Sequence, residues 1–91
     1  MNKKKRLKYY LGKIHEQNGE KEYTSQYLFK TLKCPVEYNI NTAMGWRGSS
    51  DEDFDEDSGG YNCDGTLITP HSVRKIPEEH YKILRKYLVE L

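Results

Sequence analysis

The side chains most able to do chemistry are concentrated in an acidic segment, residues 51–57, where six of seven positions are carboxylates and the seventh is Phe54. The carboxylates belong to Asp51, Glu52, Asp53, Asp55, Glu56 and Asp57. Packed charges of one sign repel one another and stay in water. Because serine and glycine flank the segment on both sides, we predict a mobile acidic loop over residues 48–60.

One chemistry open to this segment is the imitation of nucleic-acid phosphates. Closely spaced carboxylates can occupy the basic groove of a DNA- or RNA-binding protein, where long-range attraction speeds the encounter. Phe54 lies in the middle of the segment and Trp46 shortly before it, so both are candidate apolar anchors. We therefore predict that Trp46 and the acidic segment form a binding surface for a host protein with a basic groove.

A second chemistry is cation binding, because Asp53, Asp55 and Asp57 alternate as in a calcium-binding loop. The pattern departs from that loop where Ser58 replaces the glycine of the sharp turn and Asp64 replaces the bidentate glutamate. No pair of Cys or His residues has the spacing of a structural zinc site. The sequence therefore predicts no metal and no cofactor.

Catalytic motifs are missing from the sequence, which contains no G-x-S-x-G, no phosphate-binding loop and no H-E-x-x-H. Cys63 with His71 or His80 would supply a nucleophile and a base, but nothing in their spacing favours that pairing. We predict a non-enzymatic protein-binding domain, such as a phage- or plasmid-encoded inhibitor of a host defence enzyme that targets nucleic acid. One alternative is a small metal- or ligand-binding protein built on Cys63, His71 and the acidic segment.

The amino terminus offers the opposite charge. Residues 1–6, MNKKKR, and Lys8 are basic, and Tyr9 and Tyr10 follow them. Lysines contact phosphates and tyrosines stack on bases, so a nucleic-acid-binding accessory protein is the other alternative. The net charge of the 91-residue chain is only +1, and no helix-turn-helix, RRM or KH signature is present. We therefore rank direct nucleic-acid binding below protein binding, and expect residues 1–6 to form a disordered arm.

The first element that positions these side chains is a hairpin over residues 7–31, hinged on Asn18-Gly19. Asn-Gly is typical of a type I′ turn, which needs a positive φ at both central residues. The register of such a turn pairs Ile14 with Tyr23, Tyr10 with Tyr27 and Glu16 with Lys21. At the open end both faces are apolar, with Tyr10, Tyr27 and Phe29 on one and Tyr9, Leu11 and Leu28 on the other. We expect both faces to be covered, because an isolated hairpin is marginal in water.

A second hairpin is predicted over residues 60–69, around another type I′ signature at Asp64-Gly65. Pro70 lacks a backbone N–H and is expected to mark an edge of the sheet or the end of the strand. Residues 72–76 then have the composition of a further short strand.

Two helices complete the predicted fold. The first begins at Cys34-Pro35 and ends at Gly45, and the second begins with Pro77 at its first position. The predicted apolar stripes are Val36, Ile40, Ala43 and Met44 on the first helix, and Tyr81, Leu84, Leu88 and Leu91, widened by Ile83 and Tyr87, on the second. The sequence thus predicts one α+β domain over residues 1–91: a small antiparallel sheet of two β-hairpins with a short central helix and a C-terminal helix packed on the sheet.

The charge of the chain is unevenly distributed. Residues 1–48 hold ten basic and four acidic side chains, whereas residues 49–91 hold five and ten, so we expect an electrically polarised molecule. No apolar run approaches the roughly 20 residues of a membrane span. Because only two cysteines are present, we expect free thiols in a soluble, cytoplasmic protein with no membrane partner.

The YYLGKIHEQNGEKEYT hairpin, the acidic Gly-Gly-Tyr loop and the terminal IPEEHYKILRKYL resemble small bacterial, plasmid and phage proteins. The resemblance covers most of the chain and implies the same order of elements. No function and no site residue come with it.

Overall fold

The computed structural model describes residues 7–91, so the predicted basic arm over residues 1–6 lies outside the described residues. The strands are β1 (Lys8–Asn18), β2 (Lys21–Thr31), β3 (Phe54–Asp55), β4 (Gly60–Cys63), β5 (Thr66–Ile76) and β6 (Val89–Glu90). The helices are α1 (Pro35–Gly45) and α2 (Glu78–Leu84), and a 3₁₀ turn spans Asp51–Asp53. The strands form one sheet in the order β3-β4-β5-β1-β2-β6, antiparallel except for the parallel pair β2 and β6. The predicted α+β class is confirmed.

The first hairpin is confirmed, but its predicted register is wrong by two residues. Asn18, predicted to lie in the turn, pairs with Lys21, and the two-residue loop is Gly19-Glu20. Gly19 has a φ of +62°, which fits a type II′ turn with glycine at its first central position. Ile14, Tyr10 and Glu16 therefore face Ser25, Phe29 and Tyr23. Because side chains alternate with a period of two, this shift leaves each one on its predicted face of the sheet.

The second hairpin forms as predicted, and its type I′ turn has Asp64 and Gly65 at φ values of 49° and 86°. Strand β5 continues through Pro70, so the predicted end of the strand is wrong. The other alternative is confirmed, because β4 pairs with β5 only up to Ile68 and Pro70 pairs with β1 alone, on an edge of the sheet. The ladder between β1 and β5 shifts by one residue next to Pro70, and the additional residue is His71. Such a bulge interrupts the ladder hydrogen bonds, so a proline without an N–H fits there.

Each face of the sheet is covered by one helix. The α1 face buries Tyr10, Ile14, Tyr27, Phe29, Tyr61 and Ile68 together with Ala43 of the helix. The α2 face buries Leu28, Ile76 and Tyr81, with Tyr9, Leu11, Leu84 and Leu88 packed around them. Both predicted apolar faces of the first hairpin are therefore confirmed, as is the packing of the C-terminal helix against it.

Helix α1 has the predicted ends, but only the second half of its predicted apolar stripe is in the core: Ala43 is fully buried and Met44 packs against the α1-face core. Its buried residues are Asn39 and Ala43, whereas Val36 of the predicted stripe is 54% exposed and Ile40 is 37% exposed. The periodicity of apolar residues did not predict Asn39, because this buried side chain is polar. The partners of Asn39 explain why an amide is placed there.

Asn39 satisfies its hydrogen-bonding groups with three different strands. The Tyr27 hydroxyl of β2 donates to its Oδ1 at 2.5 Å. Its Nδ2 donates to the carbonyls of Lys13 in β1 and Ser72 in β5, both at 3.3 Å. A buried amide with partners on donor and acceptor sides is tolerated in a core. Asn39 thus fixes the rotation of α1 over the sheet.

The C-terminal helix is shorter than predicted. It ends at Leu84, Pro77 precedes it as the N-cap residue, and the chain turns back to form β6 beside β2. Tyr87 is 79% exposed, and Leu91 lies beyond the helix, so neither belongs to a helical stripe. The pairing of β6 with β2 competes with further helix and ends it. Across residues 7–91, no helix has the length and apolar character needed to cross a membrane.

Candidate binding surfaces

The acidic segment has local structure, although its predicted mobility stays a prediction. Ser50 caps the 3₁₀ turn: its backbone N–H donates to Asp53 Oδ2 at 2.8 Å. Asp55 accepts a hydrogen bond from the Asp57 N–H at 3.2 Å and another from the Ser58 hydroxyl at 2.9 Å. The carboxylates of Asp53 and Asp55 therefore shape the segment itself.

The other four carboxylates have no such role. Within residues 7–91, the side chains of Asp51, Glu52, Glu56 and Asp57 form no hydrogen bond and no ion pair. All four of these residues are exposed to solvent. The structure therefore divides the six carboxylates of the acidic segment into two that support the turn and four that face outward.

Phe54 lies beside a cleft at the end of the sheet where β3 begins. Its ring is 46% exposed and tilts against Tyr61 of β4, with the ring centroids 5.3 Å apart. The cleft has a volume of about 440 Å³. Its lining residues are Ile40, Asp51, Phe54, Gly59, Tyr61 and Pro70. Ile40, predicted to be buried, supplies a half-exposed apolar wall here.

Trp46, the second predicted anchor, is placed differently. It packs against the α1-face core, with its ring 5.9 Å from that of Tyr27, and it does not line the Phe54 cleft. Its indole Nε1 donates to Glu16 Oε1 at 3.0 Å. Arg47 Nε donates to the other oxygen, Glu16 Oε2. Trp46 thus helps to anchor the end of α1 from which the acidic segment follows.

Glu16 is the residue that sequence reasoning missed. Its side chain is 7% exposed although it carries a charge, whereas Arg47 is 52% exposed and links it to solvent. The signal was available, because Glu16 continues the alternation of Tyr10, Gly12 and Ile14 on the core face of β1. A carboxylate on that face needs hydrogen-bonding partners, and its partners, Trp46 and Arg47, follow α1 directly in the sequence.

The residues of the alternative metal or ligand site, Cys63 and His71 with the acidic segment, do not form a cluster that could hold a metal ion within residues 7–91. Cys63 Sγ donates to the Arg47 carbonyl at 3.2 Å, and the His71 Nδ1 lies 3.2 Å from the Ser72 hydroxyl. Both Cys34 and Cys63 are free thiols. In the part of the chain that the structure describes, no three His, Cys, Asp or Glu side chains are close enough to hold a metal ion.

The open end of the first hairpin carries the opposite charge. Tyr9 packs on Tyr81 at 4.8 Å and Tyr10 stacks on Phe29 at 5.2 Å, so the tyrosines predicted to stack on bases are engaged in the two cores. Two adjoining clefts lie here, with volumes of about 720 and 500 Å³. They share Thr31, Leu32, Lys33 and Cys34.

Comparison of the chain with models of protein families, with curated proteins and with solved structures finds no match.

Proposed function

We propose that this protein is a non-enzymatic binding domain whose acidic segment docks into a basic groove of another protein. The proposal is supported above all by one observation: four exposed carboxylates flank, along the chain, a 46% exposed phenylalanine that lines an apolar cleft together with Asp51. Exposed charges chiefly govern the rate of encounter, whereas a buried aromatic ring dominates the energy of the docked state. The two kinds of side chain have complementary roles on one surface.

The apolar part of the surface consists of Phe54 and Ile40, not of Phe54 and Trp46. Phe54 and Ile40 line the same cleft, while Trp46 uses its N–H and its ring inside the domain. A partner side chain that enters the cleft would meet apolar walls and the Asp51 carboxylate at the rim. An apolar side chain next to lysine or arginine is therefore the chemistry that this surface favours.

A groove that binds nucleic acid has this chemistry, because it is basic and often lined with apolar or aromatic side chains. We infer that the partner is a protein that handles nucleic acid, and that the acidic segment competes with phosphates for its groove. An inhibitor of a host defence enzyme, encoded by a phage or a plasmid, would act in this way.

The test is photo-crosslinking from position 54. Benzoylphenylalanine replaces Phe54, and the purified chain is irradiated in lysate of the cells in which it is naturally expressed. We expect a crosslinked protein with a nucleic-acid-binding groove, and we expect excess duplex DNA or RNA to prevent the crosslink. The matched control places the same group at Tyr87, which is 79% exposed and lies after helix α2.

A charge-neutralised variant decides the role of the carboxylates. Asp51→Asn, Glu52→Gln, Glu56→Gln and Asp57→Asn remove the four outward charges and leave Asp53 and Asp55 to support the turn. The proposal predicts that this variant loses the crosslink. An unchanged crosslink would mean that the segment is a solvated connector, and crosslinks equal to those from position 87 would mean that Phe54 is no anchor.

A further inference from the structure

The two clefts at the open end of the first hairpin form a basic surface. Lys30 and Lys33 line the larger cleft, and Lys8 and Lys33 line the smaller one. All three lysines are exposed, and none of them forms an ion pair within residues 7–91. Leu7 also lines the larger cleft, and the four basic residues at positions 3–6 precede it directly in the sequence.

An aromatic ring lines the larger cleft together with Lys30 and Lys33. Tyr38 of α1 stacks on Phe29 with their centroids 4.3 Å apart and an interplanar angle of 6°. Phe29 is fully buried, whereas Tyr38 is partly exposed and lines the larger cleft. Part of the Tyr38 side chain is therefore accessible from this cleft, and a planar ligand stacked on its ring would extend an existing aromatic stack.

Hydrogen-bonding groups complete the lining of the larger cleft. Asn41 offers a donor and an acceptor, and the Glu37 carboxylate can accept from the exocyclic amino group of a base. A volume of about 720 Å³ lies within the range of sites that hold a ligand of nucleotide size. An aromatic side chain for stacking, lysines for the phosphates and nearby polar groups are what proteins use to bind single-stranded nucleic acid without base specificity.

We propose that this cleft binds single-stranded nucleic acid, with one base stacked on Tyr38 and the adjoining phosphates on Lys30 and Lys33. A single strand fits better than a duplex, because bases within a duplex are not available for stacking on a side chain. The site is independent of the acidic segment, because this cleft and the Phe54 cleft share no lining residue. The protein then has one end for a protein and one end for a nucleic acid.

The experiment is a titration of the full chain into fluorescein-labelled dT12, followed by anisotropy at several salt concentrations. We expect binding at about 50 mM salt with a log–log salt slope of about −0.7 for each phosphate contacted. Lys30→Glu with Lys33→Glu should weaken binding at least about tenfold and make the slope shallower by about 1.4, because two phosphate contacts are lost. Arg85→Glu with Lys86→Glu is the control with the same change in net charge, and it should change affinity by less than about threefold.

A second pair of variants tests the stacking. Tyr38→Leu keeps an apolar side chain against Phe29 but removes the aromatic face, and should weaken binding about tenfold. Tyr38→Phe keeps the face and should bind dT12 like the wild type. Thermal melting of both variants shows whether each is folded, and only folded protein is titrated.

Several results would overturn the proposal. It fails if dT12 does not bind at 50 mM salt, or if the control pair of charge reversals weakens binding as much as the lysine pair. It also fails if labelled duplex binds as tightly as the single strand, or if thymidine monophosphate alone displaces dT12 at equal phosphate concentration. The last result would identify a site for a free nucleotide instead of a strand.

Discussion

The two ends of the first hairpin differ in charge and in the way helix α1 is attached to them. At the turn end the helix is held by directional bonds, since Trp46 and Arg47 both donate to the buried Glu16. At the open end α1 begins after Cys34 without a side-chain cap, and the contact there is the stacking of its Tyr38 ring on Phe29 of β2. The acidic segment therefore follows a fixed anchor, whereas the basic surface is built around a partly exposed aromatic ring.

The contact between Gly12 and Tyr27 lies midway between the two ends of the first hairpin. Disrupting this contact should lower the stability of the protein more than any other change proposed below. A Cβ added at Gly12 would lie 2.5 Å from Tyr27 Cζ, and Tyr27 is fully buried and bonded to Asn39. We expect Gly12→Ala to lower the free energy of unfolding by about 3 kcal/mol, measured by urea denaturation. Gly45→Ala is the control, because nothing lies within 4 Å of its added Cβ. Equal stabilities of the two variants would show that the ring moves aside without cost.

The sequence could predict the faces of the first hairpin, because alternation alone assigns Tyr10 and Leu11 to opposite sides. It could not predict the register, since Asn18-Gly19 and Gly19-Glu20 are both acceptable two-residue turns. The strand registers that these two turns set differ by two residues. Apolar periodicity predicted Ala43 and Met44 in the core but not the full rotation of α1, which is set by hydrogen bonds between Asn39 and distant strands. The acidic segment and Phe54 were visible in the sequence, whereas their neighbour Ile40 came into view only through the fold.

The ion pair between buried Glu16 and half-exposed Arg47 should give the next largest effect. Arg47→Met leaves the Glu16 carboxylate buried without its cation, and because Arg47 itself is 52% exposed we expect a loss of about 2 kcal/mol in the free energy of unfolding. Adding Glu16→Gln removes that charge and keeps an acceptor for Trp46, so the double variant should be more stable than Arg47→Met alone. If the double variant is instead the less stable of the two, the pair is not coupled.

An exposed ion pair provides the comparison for this anchor. Lys82 and Glu78 are 3.3 Å apart on helix α2, and both side chains are more than half exposed. Lys82→Met should cost no more than about 0.5 kcal/mol, because water screens the pair. A larger loss there would weaken the argument that burial makes the Glu16 anchor important.

Alkaline pH should act on both faces of the sheet through their buried tyrosines. Burial raises the pKa of Tyr27 to about 12, and burial with the Glu90 carboxylate as hydrogen-bond acceptor raises the pKa of Tyr81 further. Since these pKa values exceed the ordinary value of 10 in the unfolded chain, the stabilisation is complete below pH 10 and is lost as pH rises through the folded pKa. Urea unfolding at pH 9, 10 and 11 should show a decline only above pH 10.

Single tyrosine variants separate these contributions. Tyr81→Phe should flatten the decline above pH 10, because the neutral ring has no proton to lose. Tyr87→Phe should leave the profile unchanged, because the Tyr87 side chain is 79% exposed. A steeper decline in Tyr81→Phe than in the wild type would contradict the assignment.

The smallest effect on stability is expected from the four outward carboxylates of the acidic segment. Their neutralisation removes mutual repulsion and breaks no hydrogen bond within the described residues, so the melting temperature should stay equal or rise slightly. Asp53→Ala with Asp55→Ala removes the acceptors of Ser50 and Ser58 and should lower it. If the neutralised variant melts at a lower temperature instead, the outward carboxylates hold a cation or an ion-pair network.

The central claim is that the outward carboxylates attract the partner and that Phe54 holds it. The most direct test is to measure association and dissociation rates, as a function of ionic strength, for the protein captured through position 54. We predict that neutralising the four carboxylates slows association and flattens its salt dependence, while Phe54→Ala mainly speeds dissociation, by about tenfold or more. Rates that are the same for wild type and both variants at every ionic strength would contradict the account.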